Sequence, residues 1–123
     1  MAIDITVALV NRPGTLLRAC EALARAGINI DGACGYVSDH LGVFHVLVED
    51  AERARRTLLN ADLEIREERA VLVASVENRP GGAAAVLRRV AEAGVNIDLL
   101  YATADGRLVV GGDDVAALRR ALG

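Results

Sequence analysis

Lysine is absent, and all fourteen basic residues are arginine. That excludes a lysine Schiff base and the lysine of a P-loop. Aromatic residues make up only 2% of the 123 residues, too few for the stacking surface that reads single-stranded RNA. No basic run occurs, and a formal net charge of −3 suits a phosphate backbone poorly. Cys20 and Cys34 form no CxxC pair and read as small buried hydrophobes. The two histidines, His40 and His45, have no partner at metal-ligand spacing. His40 falls in an expected turn and His45 in an expected strand. The apolar runs are too short to span a bilayer, and the opening Met-Ala-Ile-Asp has no basic leader. The expectation is a cytoplasmic protein with no membrane or nucleic-acid partner, no metal and no cofactor.

What is abundant is Ala, Val, Leu and Ile, and 53% of the chain is hydrophobic, enough for a core. An internal repeat organises it. Asn11-Arg12-Pro13-Gly14 recurs as Asn78-Arg79-Pro80-Gly81, and Gly27-Ile28-Asn29-Ile30-Asp31 as Gly94-Val95-Asn96-Ile97-Asp98, both at an offset of 67. The expected domains are 1–69 and 70–123. Farther on, aligning Asp50 with Asp113 lowers the offset to 63. Asp105-Gly106 suggests a tight two-residue hairpin in the second copy, against Asp39-His40-Leu41-Gly42 in the first.

In the first unit, Ile3, Ile5, Val7 and Leu9 alternate as on one face of a strand. Pro13 suits a helix start, Leu16, Cys20, Leu23 and Ala24 follow at helical spacing, and Gly27 ends the helix. Strands are expected over 28–38, 43–48 and 63–68, with a helix capped by Asp50 and striped by Ala51, Ala54 and Leu58. Glu64, Arg66 and Glu68 suit an exposed edge. The second unit repeats the pattern: strands over 71–76, 95–103 and 107–110, a helix with Val86, Leu87, Val90 and Ala91, and a last helix with Val115, Leu118 and Leu122 capped by Asp113. It has no fourth strand, so its first strand is expected to have a vacant edge. The strand over 72–76 is apolar on both faces, and the strand over 43–48 is nearly so, interrupted by His45. Either a second layer, such as another subunit, covers the far face, or small Val and Ala side chains lie exposed there.

Asn-Arg-Pro-Gly after a first strand, then Gly-(Ile/Val)-Asn-Ile before the second, twice in a βαββαβ pattern, resembles the ACT domain family. The motif is most similar to ACT domains that regulate amino-acid metabolism, such as that of phosphoglycerate dehydrogenase. The resemblance implies an α+β fold of two ferredoxin-like βαββαβ repeats, the second lacking its last strand. They would lie side by side, with helices on one face of a mainly antiparallel sheet. It further implies pairing through second strands and a small effector, often an amino acid, at the junction. By that resemblance Asn11, Arg12, Pro13, Gly14, Thr15 and Leu16 would face Asn96, Ile97 and Asp98. Likewise Asn78, Arg79, Pro80, Gly81, Gly82 and Ala83 would face Asn29, Ile30 and Asp31. Leu9 and Val76 stand where the phosphoglycerate dehydrogenase type has histidine, which argues against serine as the effector.

The residues themselves point the same way. A glycine lets a ligand approach the backbone, and a helix start offers free N–H groups to a carboxylate. Asn11 and Asn78 can serve an α-ammonium or a carboxylate. Arg12 and Arg79 can pair with a carboxylate or simply face solvent. The alternative is that the asparagines only cap helices and turns. Gly82-Ala83-Ala84 in place of Thr15-Leu16-Leu17 would give the second pocket smaller walls and more room. The expected function is an amino-acid-binding regulatory protein without catalytic residues, acting as a homo-oligomer, most simply a dimer. The rival is a regulatory subunit that docks on a biosynthetic enzyme without a ligand of its own.

Overall fold

A computed structural model describes residues 2–123. Its elements run β1 (Ala2–Val10), α1 (Thr15–Arg25), β2 (Gly32–Ser38), β3 (Leu41–Leu47), α2 (Ala51–Asn60), β4 (Glu64–Ala74), α3 (Gly82–Glu92), β5 (Leu99–Ala102), β6 (Leu108–Gly111) and α4 (Val115–Leu122). This is the expected α+β pattern of two ferredoxin-like repeats with antiparallel ladders. Two compact units are present, one over Ile3–Arg69 and one built on Ala70–Gly123.

The first unit has strand order β2-β3-β1-β4. From β1, Ile5, Val7 and Leu9 meet Ala19 and Leu23 of α1, Ala54 and Leu58 of α2, and Phe44 and Val46 of β3. The periodicity placed Leu16 and Ala24 in this stripe as well. Instead Leu16 is 47% exposed and Ala24 is exposed, and the buried stripe is Ala19 and Leu23. The other face of β1 is also buried: Asp4 is inaccessible, and Thr6, Ala8 and His45, which lies opposite Thr6, are nearly so. The polar groups there satisfy one another, with His45 Nδ1 2.9 Å from an Asp4 carboxylate oxygen and the Thr6 hydroxyl donating to the same oxygen at 3.2 Å. Tyr36 stacks on the His45 ring at 5.9 Å.

The second unit has order β4-β6-β5, with a core of Val90, Val110 and Leu118. Its first strand is the closing half of β4. The strands expected separately over 63–68 and 71–76 are one continuous strand, because nothing between Glu64 and Ala74 is a proline, a glycine or a turn former. Within the units, β2 pairs with β3 and β5 pairs with β6, both antiparallel.

Both hairpins correct the sequence reading. Ser38 pairs with Leu41, so Asp39 and His40 alone form the first turn, both at positive φ (50° and 66°). That is the signature of a type I′ hairpin. The second hairpin is closed by Thr103 N–H donating to Arg107 O at 2.8 Å. Its loop is thus three residues, Ala104-Asp105-Gly106, with Gly106 at φ 85°. Arg107 and Thr103 hydrogen-bond the Asp105 carboxylate and lower its pKa. Two strand pairs are lost and one loop residue is gained, so the later offset is 64 rather than 63.

The caps agree with that shift. Asp50 accepts from Arg53 N–H at 3.1 Å, and its counterpart is Asp114, which accepts from Ala117 N–H at 3.0 Å, not Asp113. Asp114→Ala is expected to cost about 1 kcal/mol and Asp113→Ala only a few tenths. Urea midpoints of the two variants check this.

Candidate functional site

The loop after β1 is shaped by backbone bonds. Arg12 N–H donates to Val10 O at 2.9 Å, and the Thr15 hydroxyl donates to Val10 O at 2.7 Å. Gly14 caps α1 at φ 90°, with no side-chain cap. Pro13 therefore precedes the cap instead of opening the helix. Asn11 is not a helix cap: its exposed amide, like that of Asn78, has no hydrogen-bond partner among the described residues. The Arg12 guanidinium likewise has no carboxylate partner there.

Beside this loop lies a hollow of about 380 Å³, within the first unit. Asn11, Arg12, Thr15 and Leu16 form one side, and Gly35, Tyr36 and Val37 of β2 form the other, over Leu9, Gly42, Val43 and Phe44. The register explains the space. Gly35 opposes Phe44 and Val37 opposes Gly42, so two positions on the helix-covered face carry no side chain. A Cβ at Gly35 would meet only Val43 O, at 3.9 Å, whereas one at Gly42 would crowd Leu9 at 3.1 Å. Tyr36 and Val43 belong to the opposite face by alternation, so they present mainly backbone to the hollow. The structure thus brings together Asn11, Arg12, Thr15 and Leu16, while Pro13 and Gly14 lie outside the lining. Gly35, Val37 and Gly42 join this lining, and the sequence reading named none of them as site residues. The available signal was a pair of glycines flanking one short hairpin.

Asn29 and Asp31 sit elsewhere. Gly32 pairs with Leu47 and Leu47 with Asp4, so the Asn29–Asp31 stretch adjoins the start of β1, whereas Asn11 follows its end. Asn29 donates to Asp31 at 2.8 Å, and both line a hollow of about 310 Å³ with Glu49, Asp50 and Arg53. Ile30 packs on the core. In the second repeat Ile97 does the same, and Asp98 N–H donates to Gly111 O at 3.0 Å, as Asp31 N–H does to Leu47 O at 2.9 Å. Asn96 presses its carbonyl against Gly112, where a Cβ would lie 2.4 Å away. The repeated Gly-x-Asn-Ile-Asp motif therefore has a backbone role in both copies.

The second Asn-Arg-Pro-Gly loop differs in detail. Gly81 again caps its helix at φ 85°, and Ala83 is exposed. Arg79, however, is ion-paired with Glu77. Gly82 is buried, and a Cβ there would stand 1.9 Å from Glu77 O. The extra room expected at Gly82 is filled by that carbonyl.

Burial raises the Cys20 thiol pKa, which disfavours the nucleophilic thiolate. No cluster of three metal-ligating side chains occurs among the described residues, and no helix there is long and apolar enough to cross a membrane.

The signature of the ACT domain pair family matches residues 1–120. A solved protein from Bacteroides thetaiotaomicron is similar at 25% identity and TM-score 0.88, over 98% of this chain and 85% of that one. The ligand-free regulatory subunit of aspartate kinase from Thermus thermophilus is similar at 22% identity and TM-score 0.69, over 98% and 89% of the two chains. Its counterpart from Thermus flavus gives 23% and 0.62, over 98% and 90%. The two aspartate kinase subunits, below 25% identity, share the fold with this chain. No curated protein matches the sequence.

Proposed function

We propose, from the premise that this chain belongs to the ACT domain pair family, that it is a non-catalytic regulatory protein that binds an amino acid. The observation that carries this reading is the hollow beside Asn11 and Arg12, whose amide and guanidinium are uncommitted. An amide oxygen suits an α-ammonium, and a guanidinium suits a carboxylate. Asn29 to Asp31, Asn78 to Ala83 and Asn96 to Asp98, which the family resemblance adds to the site, do not line this hollow. β2 has a second hydrogen-bonding edge beyond the one β3 occupies, and a second copy pairing there would make the homodimer that the family resemblance implies.

Ligand binding stabilises a fold by mass action, about 2.7 kcal/mol at a hundredfold excess over Kd. A thermal-shift screen of the proteinogenic amino acids at millimolar concentration is expected to raise the midpoint by several degrees for at least one. No shift with any of them would end this reading.

A second reading is favoured by exposed Leu17 (62%), Val10 (58%) and Val37 (54%), an apolar set suited to an enzyme partner. The aspartate kinase regulatory subunits supply the precedent. Co-purification with a larger enzyme, lost on Leu17→Glu, distinguishes it.

A further inference from the structure

We infer that the first repeat alone carries the ligand site and that it selects an amino acid with an apolar side chain, its carboxylate on Arg12. This rests on the amino-acid-binding reading and goes beyond it in copy number and ligand class.

Copy number follows from three differences at matched positions. Val10 stands where the second repeat has Glu77. Glu77 neutralises Arg79 within its own loop, while Arg12 has no such competitor. A ligand carboxylate at Arg79 would first have to displace a carboxylate already held at high effective concentration. The second difference is the hairpin. Gly35 pairs with Phe44 as Ala102 pairs with Leu108, and in the second repeat only Thr103 with Arg107 follows before the loop. The next pair on the same face of the first repeat, Val37 with Gly42, supplies the far wall of the hollow and has no strand counterpart in the second. The third is Gly82, seated on Glu77 O where the first repeat holds Thr15 at hydrogen-bonding distance from Val10 O.

Ligand class follows from the walls. Leu9, Leu16, Val37 and Phe44 surround the space, and the polar side chains gather on the loop side. The Thr15 hydroxyl hydrogen is already donated to Val10 O. An ammonium, carboxylate or hydroxyl on the ligand's own side chain would reach into apolar walls without a partner, whereas an aliphatic or aromatic one is favoured there. The discrimination expected is tenfold or more.

The test is calorimetric titration of the full chain with L-leucine, L-phenylalanine, L-lysine and L-threonine. At least one of the first two is expected to bind at one site per chain, at least tenfold tighter than the last two. Val10→Glu copies the second repeat's competitor at an exposed position, and Gly35→Val fills the hollow at a position free of clashes. Each is expected to weaken binding at least tenfold, with the urea midpoint showing the fold intact, and Arg79→Ala is expected to leave binding unchanged. Lysine or threonine binding in place of the apolar pair, two sites per chain, or equal losses from Arg12→Ala and Arg79→Ala would overturn this inference while sparing amino-acid binding. Silence from all twenty amino acids would remove both.

Discussion

Gly82→Thr is expected to destabilise the protein by about 3 kcal/mol or more, although it installs the residue that the first repeat uses at the matching place. The side chain's first carbon would stand 1.9 Å from the Glu77 carbonyl oxygen, so backbone must move. Thr15→Gly, the reciprocal change, removes one hydroxyl bond to Val10 O and is expected to cost about 1 kcal/mol. Gly81→Ala tests conformation rather than space. Nothing lies within 4 Å of its Cβ, but its φ of 85° is left-handed, and about 1 kcal/mol is expected. Chemical denaturation of the three variants checks the ranking Gly82→Thr far above the other two. Similar losses for all would mean that the two loops are built alike.

Leu118→Ala is expected to cost about 2–5 kcal/mol, the range for emptying a fully buried leucine site. Leu118 shares its buried cluster with Val90 and Val110, which close round it. Leu118 is the sole fully buried residue of α4, and that helix should fray first. Amide exchange over 115–122 is expected to accelerate before the rest of the chain loses protection. Leu87→Ala, at a half-buried position on α3, serves as the milder control.

These effects separate what the sequence made legible from what it hid. The βαββ order was readable because apolar residues at strand period two and helix period near four declare themselves locally, as Ile5-Val7-Leu9 and Ala54-Leu58 do. Turn geometry was less readable. Asp105-Gly106 looks like a two-residue turn, yet Thr103 and Arg107 close a three-residue loop around it. Asp39-His40 adopts the two-residue turn without a glycine. Strand ends drift for the same reason, since pairing partners fix them and those partners lie far along the chain. Two adjacent aspartates, Asp113 and Asp114, hid which one caps and shifted the repeat alignment by a residue. At the site, the loop motif was legible as chemistry. Its wall was not, because the wall is an absence of side chains at Gly35 and Gly42 that only strand register brings opposite Leu9 and Phe44.

β4 has a consequence for how such a gene can be handled or inherited. Its residues close one copy of the fold and open the next without a break from Glu64 to Ala74. Splitting the coding sequence between Arg69 and Ala70 would leave each product with a severed half-strand in place of a linker stub. Coexpressed halves should therefore prove insoluble or reassociate, and a duplication fused in this way resists later fission into separate genes.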